Sequence, residues 1–244
     1  MRKGIISRAN PILEALNVPC CRVEKLLIQK DSRKEKIEEV LTAAGKRRIP
    51  CSFVSKKILD GIDRHHQGLV AFVAEKKTVS LVEIISSSPC PFLLLLDGIE
   101  DPQNLGAVIR TAEAAGADGI VLPERRAAGL TEAVARVSAG AVEHIKIARV
   151  KNLVHAMGRL RQEEIWIVGA EGGRTRNWYE FDFTLPVGIV LGSEAKGLRP
   201  LVRKQCDDIL SLPLLGQISS LNVAAAAAVF LYEVVRQRKR KKIE

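Results

Sequence analysis

The stretch "FLLLLDGIEDPQNLGAVIRTAEAAGADGIVLP", residues 92–123, decides the fold. Five apolar residues ending in Asp97 form a strand pattern without alternation, as expected when both faces of a parallel sheet are covered. After the turn, Asp101 is a good helix N-cap and Pro102 a good first helical residue. Leu105, Val108, Ile109 and Ala112 then recur at helical spacing, and "GIVLP" begins the next strand. Strand, helix and parallel strand make an α/β unit.

The same alternation continues outward. Strand candidates follow at "HIKIARV", "EIWIVGA", "VGIVLG" and "DILSLP", with helix-length patterns between most of them. The turn after the first strand reads "DGIEDPQNLG" and lacks the glycine spacing of a dinucleotide loop. "GSEAKGLR" has the GxxxxG spacing of a phosphate loop but carries Leu198 and Arg199 where Lys and Ser or Thr belong, so nucleoside triphosphate binding has little support.

Two turns draw attention to chemistry. "VLGSEAKGLRP", residues 190–200, holds one acid, Glu194, between Gly192 and Gly197. "LPLLGQISSLNVAAAAAVF" sets Ser219, Ser220 and Asn222 before a helix expected from about Leu221 to Arg236. That helix is apolar nearly all round, so it needs a core or another subunit to cover it. Arg110 lies off the buried stripe of its helix, where a surface pair with Glu113 at i+3 is one reading and a functional role the other. Asn104, near the start of the same helix, reads either as a cap or as a functional residue.

Residues 1–76 read as a small α/β unit: "NPILEALN" helical, "KLLIQK" extended, "SRKEKIEEVLTAAGK" helical, then "IPCSFVS", "KKILDGI" and "GLVAFVA". Residues 77–91 read as a linker or connecting helix. The remaining chain, 92–244, is the larger domain and ends in the basic tail "RQRKRKKIE".

Charge points to the partner. Thirty-eight Lys and Arg against 28 Asp and Glu give +10, a field that draws in polyanions. It is uneven: residues 1–76 carry +7, residues 77–235 carry −2 and residues 236–244 carry +5. The basic ends mark the expected footprint on nucleic acid, with Arg33, Lys34, Lys46, Arg47 and Arg48 the candidate RNA contacts; the tail reads either as solvated or as a further contact. Aromatic residues make up only 4%, which argues against a base-stacking platform and for phosphate and shape recognition.

Five cysteines without a CxxC pair indicate neither a disulfide framework nor zinc. The adjacent His65 and His66 lack metal-ligand spacing, so no metal is expected. No apolar run reaches the roughly 20 residues of a membrane span, and the start "MRKGIISRANP" is unlike a signal peptide. The expectation is a cytoplasmic protein with no membrane partner.

Together, "DGIEDPQNLGAVIRTAEAAGADGIVLP", "VGIVLGSEAKGLRP" and "LPLLGQISSLNVAAAAAVFLYE" resemble the three ordered motifs of the SpoU/TrmH (SPOUT) family of RNA ribose 2′-O-methyltransferases. "NPILEAL" and "HHQGLVAFV" resemble the RNA-binding domain of the family's 23S rRNA guanosine enzymes. The resemblance implies a mostly parallel sheet closed by a trefoil knot, an exception to the rule against knots. It further implies S-adenosylmethionine as cofactor and a homodimer. By position, it gives Gly192, Leu212 and Leu221 to the cofactor, and Asn104, Arg110, Glu194, Ser220 and Asn222 to the catalytic side. Two alternatives are the same chemistry on tRNA or another rRNA site, and a non-catalytic RNA-binding or ribosome-assembly protein.

Overall fold

A computed structural model describes residues 4–17, 23–30, 35–73, 78–173, 176–193 and 197–241. The chain forms two compact units, Met1–Lys76 and Lys77–Glu244.

The first unit runs β1 (Gly4–Ser7), α1 (Ala9–Asn17), β2 (Val23–Gln29), α2 (Glu35–Lys46), β3 (Cys51–Val54), α3 (Lys56–Asp60) and β4 (Leu69–Val73). Its sheet order is β1-β4-β2-β3, with only the β2/β3 pair parallel. Ile12 and Ala15 of α1 meet Ile37, Val40 and Ala44 of α2 over Leu26, Ile28 and Ala71 of the sheet. On the opposite face Leu59 of α3 packs with Leu27 and Val70.

The second unit comprises α4 (Leu81–Ile85), β5 (Phe92–Asp97), α5 (Pro102–Ala114), β6 (Gly119–Pro123), α6 (Glu132–Val137), β7 (Ile147–Val150), α7 (Leu153–Gln162), β8 (Trp166–Ala170), β9 (Val187–Gly192), α8 (Pro200–Lys204), β10 (Asp208–Leu210) and α9 (Val223–Lys241). The six strands are parallel in the order β10-β8-β9-β5-β6-β7. Within the stretch expected as a linker, Val79 pairs with Ala148 and Ile84 of α4 is buried against the sheet.

Strand β5 shows why its sequence had no alternation. Phe92, Leu94 and Leu96 enter the core beneath α5, α6 and α9, while Leu93 and Leu95 enter the core beneath α4, α7 and α8. Both faces are covered by helices, so every position must be apolar. Helix α5 follows its sequence signals: Asp101 accepts hydrogen bonds from the N–H groups of Gln103 and Asn104, and Leu105, Val108, Ile109 and Ala112 are buried.

Helix α9 extends beyond the expected Arg236, to Lys241. Its basic end is built into the protein. Arg236 donates to Glu233 at 2.7 and 2.8 Å, and Gln237 bridges Glu233, the carbonyl of Phe181 and the N–H of Phe183. The Arg238 guanidinium donates to the carbonyls of Cys90, Phe183 and Leu185 at 2.9–3.0 Å and lies 5.4 Å from the Phe92 ring centroid. Arg236 and Arg238, read as part of the tail, are therefore engaged in internal bonds.

Candidate active site

The chain leaves β5 towards β6 on one side but inserts β9 between β5 and β8 on the other. The carboxyl ends of strands around such a reversal form the usual ligand crevice of an open parallel sheet. Three loops converge there, following β8, β9 and β10.

The loop after β9 is fixed by close backbone approach. A Cβ on Gly192 would lie 2.2 Å from the carbonyl carbon of Gly197 and 2.5 Å from the Leu198 nitrogen, a space no side chain can enter. Gly197 has φ +61° and donates to the Ser193 carbonyl at 2.8 Å. Beyond the loop, Arg199 is anchored by Asp97, the residue paired in register with Gly192. The Asp97 carboxylate is fully buried and receives the Arg199 N–H at 2.9 Å and its Nε at 2.6 Å. A buried carboxylate requires such donors. Sequence reasoning read Asp97 only as a strand end and missed this anchor, because its partner lies 102 residues away.

These loops enclose a cleft of about 680 Å³, counting the part open to solvent. Leu191, Leu212, Leu221, Val223 and Phe230 supply apolar wall; Glu171, Ser193, Ser219 and Ser220 supply polar groups. Of the expected cofactor residues, Gly192, Leu212 and Leu221 all line it, and so does Ser220 from the catalytic set.

Asn222 caps α9. Its Oδ1 accepts from the N–H of Ala224 at 2.9 Å and of Ala225 at 3.4 Å, while its Nδ2 donates to Oδ1 of Asn104 at 2.9 Å. The first turns of α5 and α9 are joined by that bond. Asn104 is thus a bridge, not the cap of α5, which is Asp101. Arg110 lies six residues further along α5, about 9 Å up the axis. It is exposed, and among the described residues it makes no hydrogen bond or ion pair, including none with Glu113. Glu194 lies outside the described residues.

In the amino-terminal unit, Lys46 ends α2 and Arg48 follows it with φ +53°, both exposed. Arg47 donates to the carbonyls of Ala15 and Leu16 at 3.2 and 3.0 Å, satisfying the end of α1. This fastening could not be read from a run of three basic residues. Arg33 and Lys34 lie outside the described residues. No group of three or more potential metal ligands occurs among the described residues, and no helix there is long and apolar enough to cross a membrane.

Residues 91–232 match the SpoU rRNA Methylase family, and residues 9–79 match the RNA 2′-O ribose methyltransferase substrate-binding family. The chain is 39% identical over 243 residues to the 23S rRNA (guanosine-2′-O-)-methyltransferase RlmB of Photobacterium profundum, covering 98% of this chain and 99% of that protein. The structure of the SpoU methyltransferase AviRb from Streptomyces viridochromogenes, in complex with AdoMet, superposes with a TM-score of 0.66 at 28% identity, covering 98% and 91% of the two chains. An AdoMet-bound rRNA methyltransferase from Sinorhizobium meliloti gives 0.64 at 25% identity, covering 96% and 87%.

Proposed function

The chain belongs to the SpoU methylase family of RNA 2′-O-methyltransferases, and from that premise we propose that it methylates a guanosine ribose of 23S rRNA using S-adenosylmethionine held in the cleft at Gly192. The observation that carries this reading is the meeting of Gly192, Leu212, Ser220 and Leu221 around one cleft. The near-complete match to RlmB supports 23S rRNA as the target, and the substrate-binding match at residues 9–79 supports RNA capture by the amino-terminal unit.

The cleft fits the cofactor chemically. Leu191, Leu212, Val223 and Phe230 offer an apolar bed for a purine, and the Ser219 and Ser220 hydroxyls and the Glu171 carboxylate offer partners for ribose and amino groups. Bound S-adenosylmethionine supplies an electrophilic methyl group. Alignment of the reacting atoms contributes a large share of such a displacement. The Asn104–Asn222 bond fixes the α5 helix that carries Arg110.

Arg110 has no internal partner among the described residues, which leaves its guanidinium available to grip an RNA phosphate and orient the 2′-hydroxyl. A guanidinium is a donor without an acceptor site, which suits this side chain to positioning and not to accepting the proton. Glu194, Ser220 and Asn222 belong to the same catalytic side in this reading. Lys46 and Arg48, with Arg33 and Lys34, contribute phosphate contacts.

The trefoil knot characteristic of the family goes with this reading, and so does a homodimer. The dimer is supported by the uncovered stripe on α9, where Ala225, Val229 and Tyr232 stand exposed, the last two at 38% and 50%. A cytoplasmic location follows from the same substrate. The test is transfer of labelled methyl from S-adenosylmethionine to unmodified 23S rRNA and, separately, tRNA. A 2′-O-methylguanosine in 23S rRNA alone is expected; label on tRNA alone would overturn the substrate.

A further inference from the structure

The amino-terminal unit carries a concavity of about 1030 Å³ whose lining includes Arg8, Lys56, Arg64, His65 and Gln67, with one carboxylate, Asp60. Arg8 follows β1, Lys56 opens α3, and Arg64, His65 and Gln67 lie in the loop between α3 and β4. None of these residues was among the basic positions picked out from the sequence.

The loop is locked from beneath. His66 is 3% exposed; its Nδ1 accepts from the Gly68 N–H at 2.7 Å, and its Nε2 lies 3.1 Å from Asp60 Oδ1. The Ser7 hydroxyl donates to Asp63, whose other oxygen accepts the His65 N–H at 2.9 Å. Those bonds, with the Ser7 hydroxyl first, hold the Asp63 carboxyl below its ordinary range. The carboxylates at the concavity are thus already engaged with the loop itself. The Arg8, Lys56 and Arg64 side chains are exposed and, among the described residues, make no hydrogen bond or salt bridge, while Arg8 lies close enough to Asp63 to help hold its carboxyl down.

Two of the six non-glycine residues with positive φ among the described residues also lie here. Arg8 and Gln67 take φ of +76° and +53°, beside Gly68 at +94°. Non-glycine residues are held in this region only where the surroundings impose it, and such positions cluster at binding sites.

We propose that this concavity is the RNA-docking site of the amino-terminal unit, binding backbone phosphates of the folded substrate through Arg8, Lys56 and Arg64. It rests on the RNA methyltransferase reading and adds the surface of the amino-terminal unit on which the substrate is held. With stacking platforms excluded by composition, affinity at this site is electrostatic and falls with salt.

The experiment uses full-length protein carrying Arg8→Ala, Lys56→Ala and Arg64→Ala together, with filter binding to in vitro transcribed 23S rRNA at several salt concentrations. Affinity falls at least tenfold, and the slope of log K against log salt shrinks by about 2, at roughly 0.7 per cation for single strands. S-adenosylmethionine binding by calorimetry is unchanged, and the charge-preserving variant Arg8→Lys, Lys56→Arg, Arg64→Lys retains RNA binding. A loss below threefold with an unchanged slope, in a protein whose wild type transfers methyl to that RNA, overturns the docking site alone. Wild-type protein that neither binds nor methylates RNA overturns the functional reading as well.

Discussion

Asn222 Nδ2 sits 2.9 Å from Oδ1 of Asn104, so one amide both caps α9 and ties it to the first turn of α5. Two jobs meet in that side chain, and they can be separated. Serine is as good a cap but too short to reach Asn104. Asn222→Ser therefore keeps stability within about 0.5 kcal/mol while methyl transfer falls, whereas Asn222→Ala loses about 1 kcal/mol as well. Urea melts beside turnover assays check both; full activity in the serine variant would show that the bridge is dispensable.

Arg110 makes no internal bond among the described residues, so its replacement costs little stability, within about 0.5 kcal/mol. Arg110→Lys keeps RNA and cofactor affinity but loses most turnover, because a point charge replaces a two-pronged donor. Single-turnover rates measure this directly, and near-normal rates would remove the positioning role.

Gly192→Ala puts a methyl group 2.2 Å from the Gly197 carbonyl carbon and forces the loop to move. Calorimetry should show at least a tenfold loss of S-adenosylmethionine affinity, with a lowered Tm. Gly158→Ala in α7 is the control. An added Cβ there meets nothing within 4 Å, so the helix gains about 0.5–1 kcal/mol and binding is unaffected.

Hydrogen bonds from Arg236, and secondarily from Gln237, hold the Glu233 carboxyl below its ordinary value of 4.5. A depressed carboxylate pKa adds stability that is present above the unfolded value and lost as pH falls through the folded one. The second unit therefore weakens as pH drops below about 4.5, and Glu233→Gln flattens that limb. Urea midpoints measured across the acid range decide it; an unchanged pH slope in the variant would show that another group carries the effect.

The six parallel strands were legible because burial on both faces leaves only apolar residues, as in Phe92–Asp97. The start of α5 was legible because Asp101 and Pro102 act locally. The end of α9 was not. Arg236 and Gln237 find Glu233 nearby, but Gln237 and Arg238 also bond to Phe181, Phe183, Leu185 and Cys90, and nothing in "RQRKRKK" announces carbonyls 53 to 148 residues distant. The fastening of Arg47 to α1 was hidden for the same reason, since its bonds cross 31 and 32 residues. Among the site residues, Gly192, Leu212 and Leu221 could be singled out only through motif resemblance, as their contribution to the cleft is backbone and apolar wall. The Arg8, Lys56 and Arg64 concavity was invisible because three isolated cations converge only after the sheet forms.

The Arg238 bonds also set a timetable for synthesis. The amino-terminal unit closes with β4 at Val73 and has its whole core by then, so it can fold while the rest of the chain is still being made. The second unit cannot. Its last strand ends at Leu210, but Phe230, Leu231 and Val234 complete the core beneath α9, and Arg238 reaches back to carbonyls made as much as 148 residues before it. Until those late residues emerge, the apolar face of the parallel sheet stands open, and this is the interval in which the growing polypeptide most needs protection from aggregation.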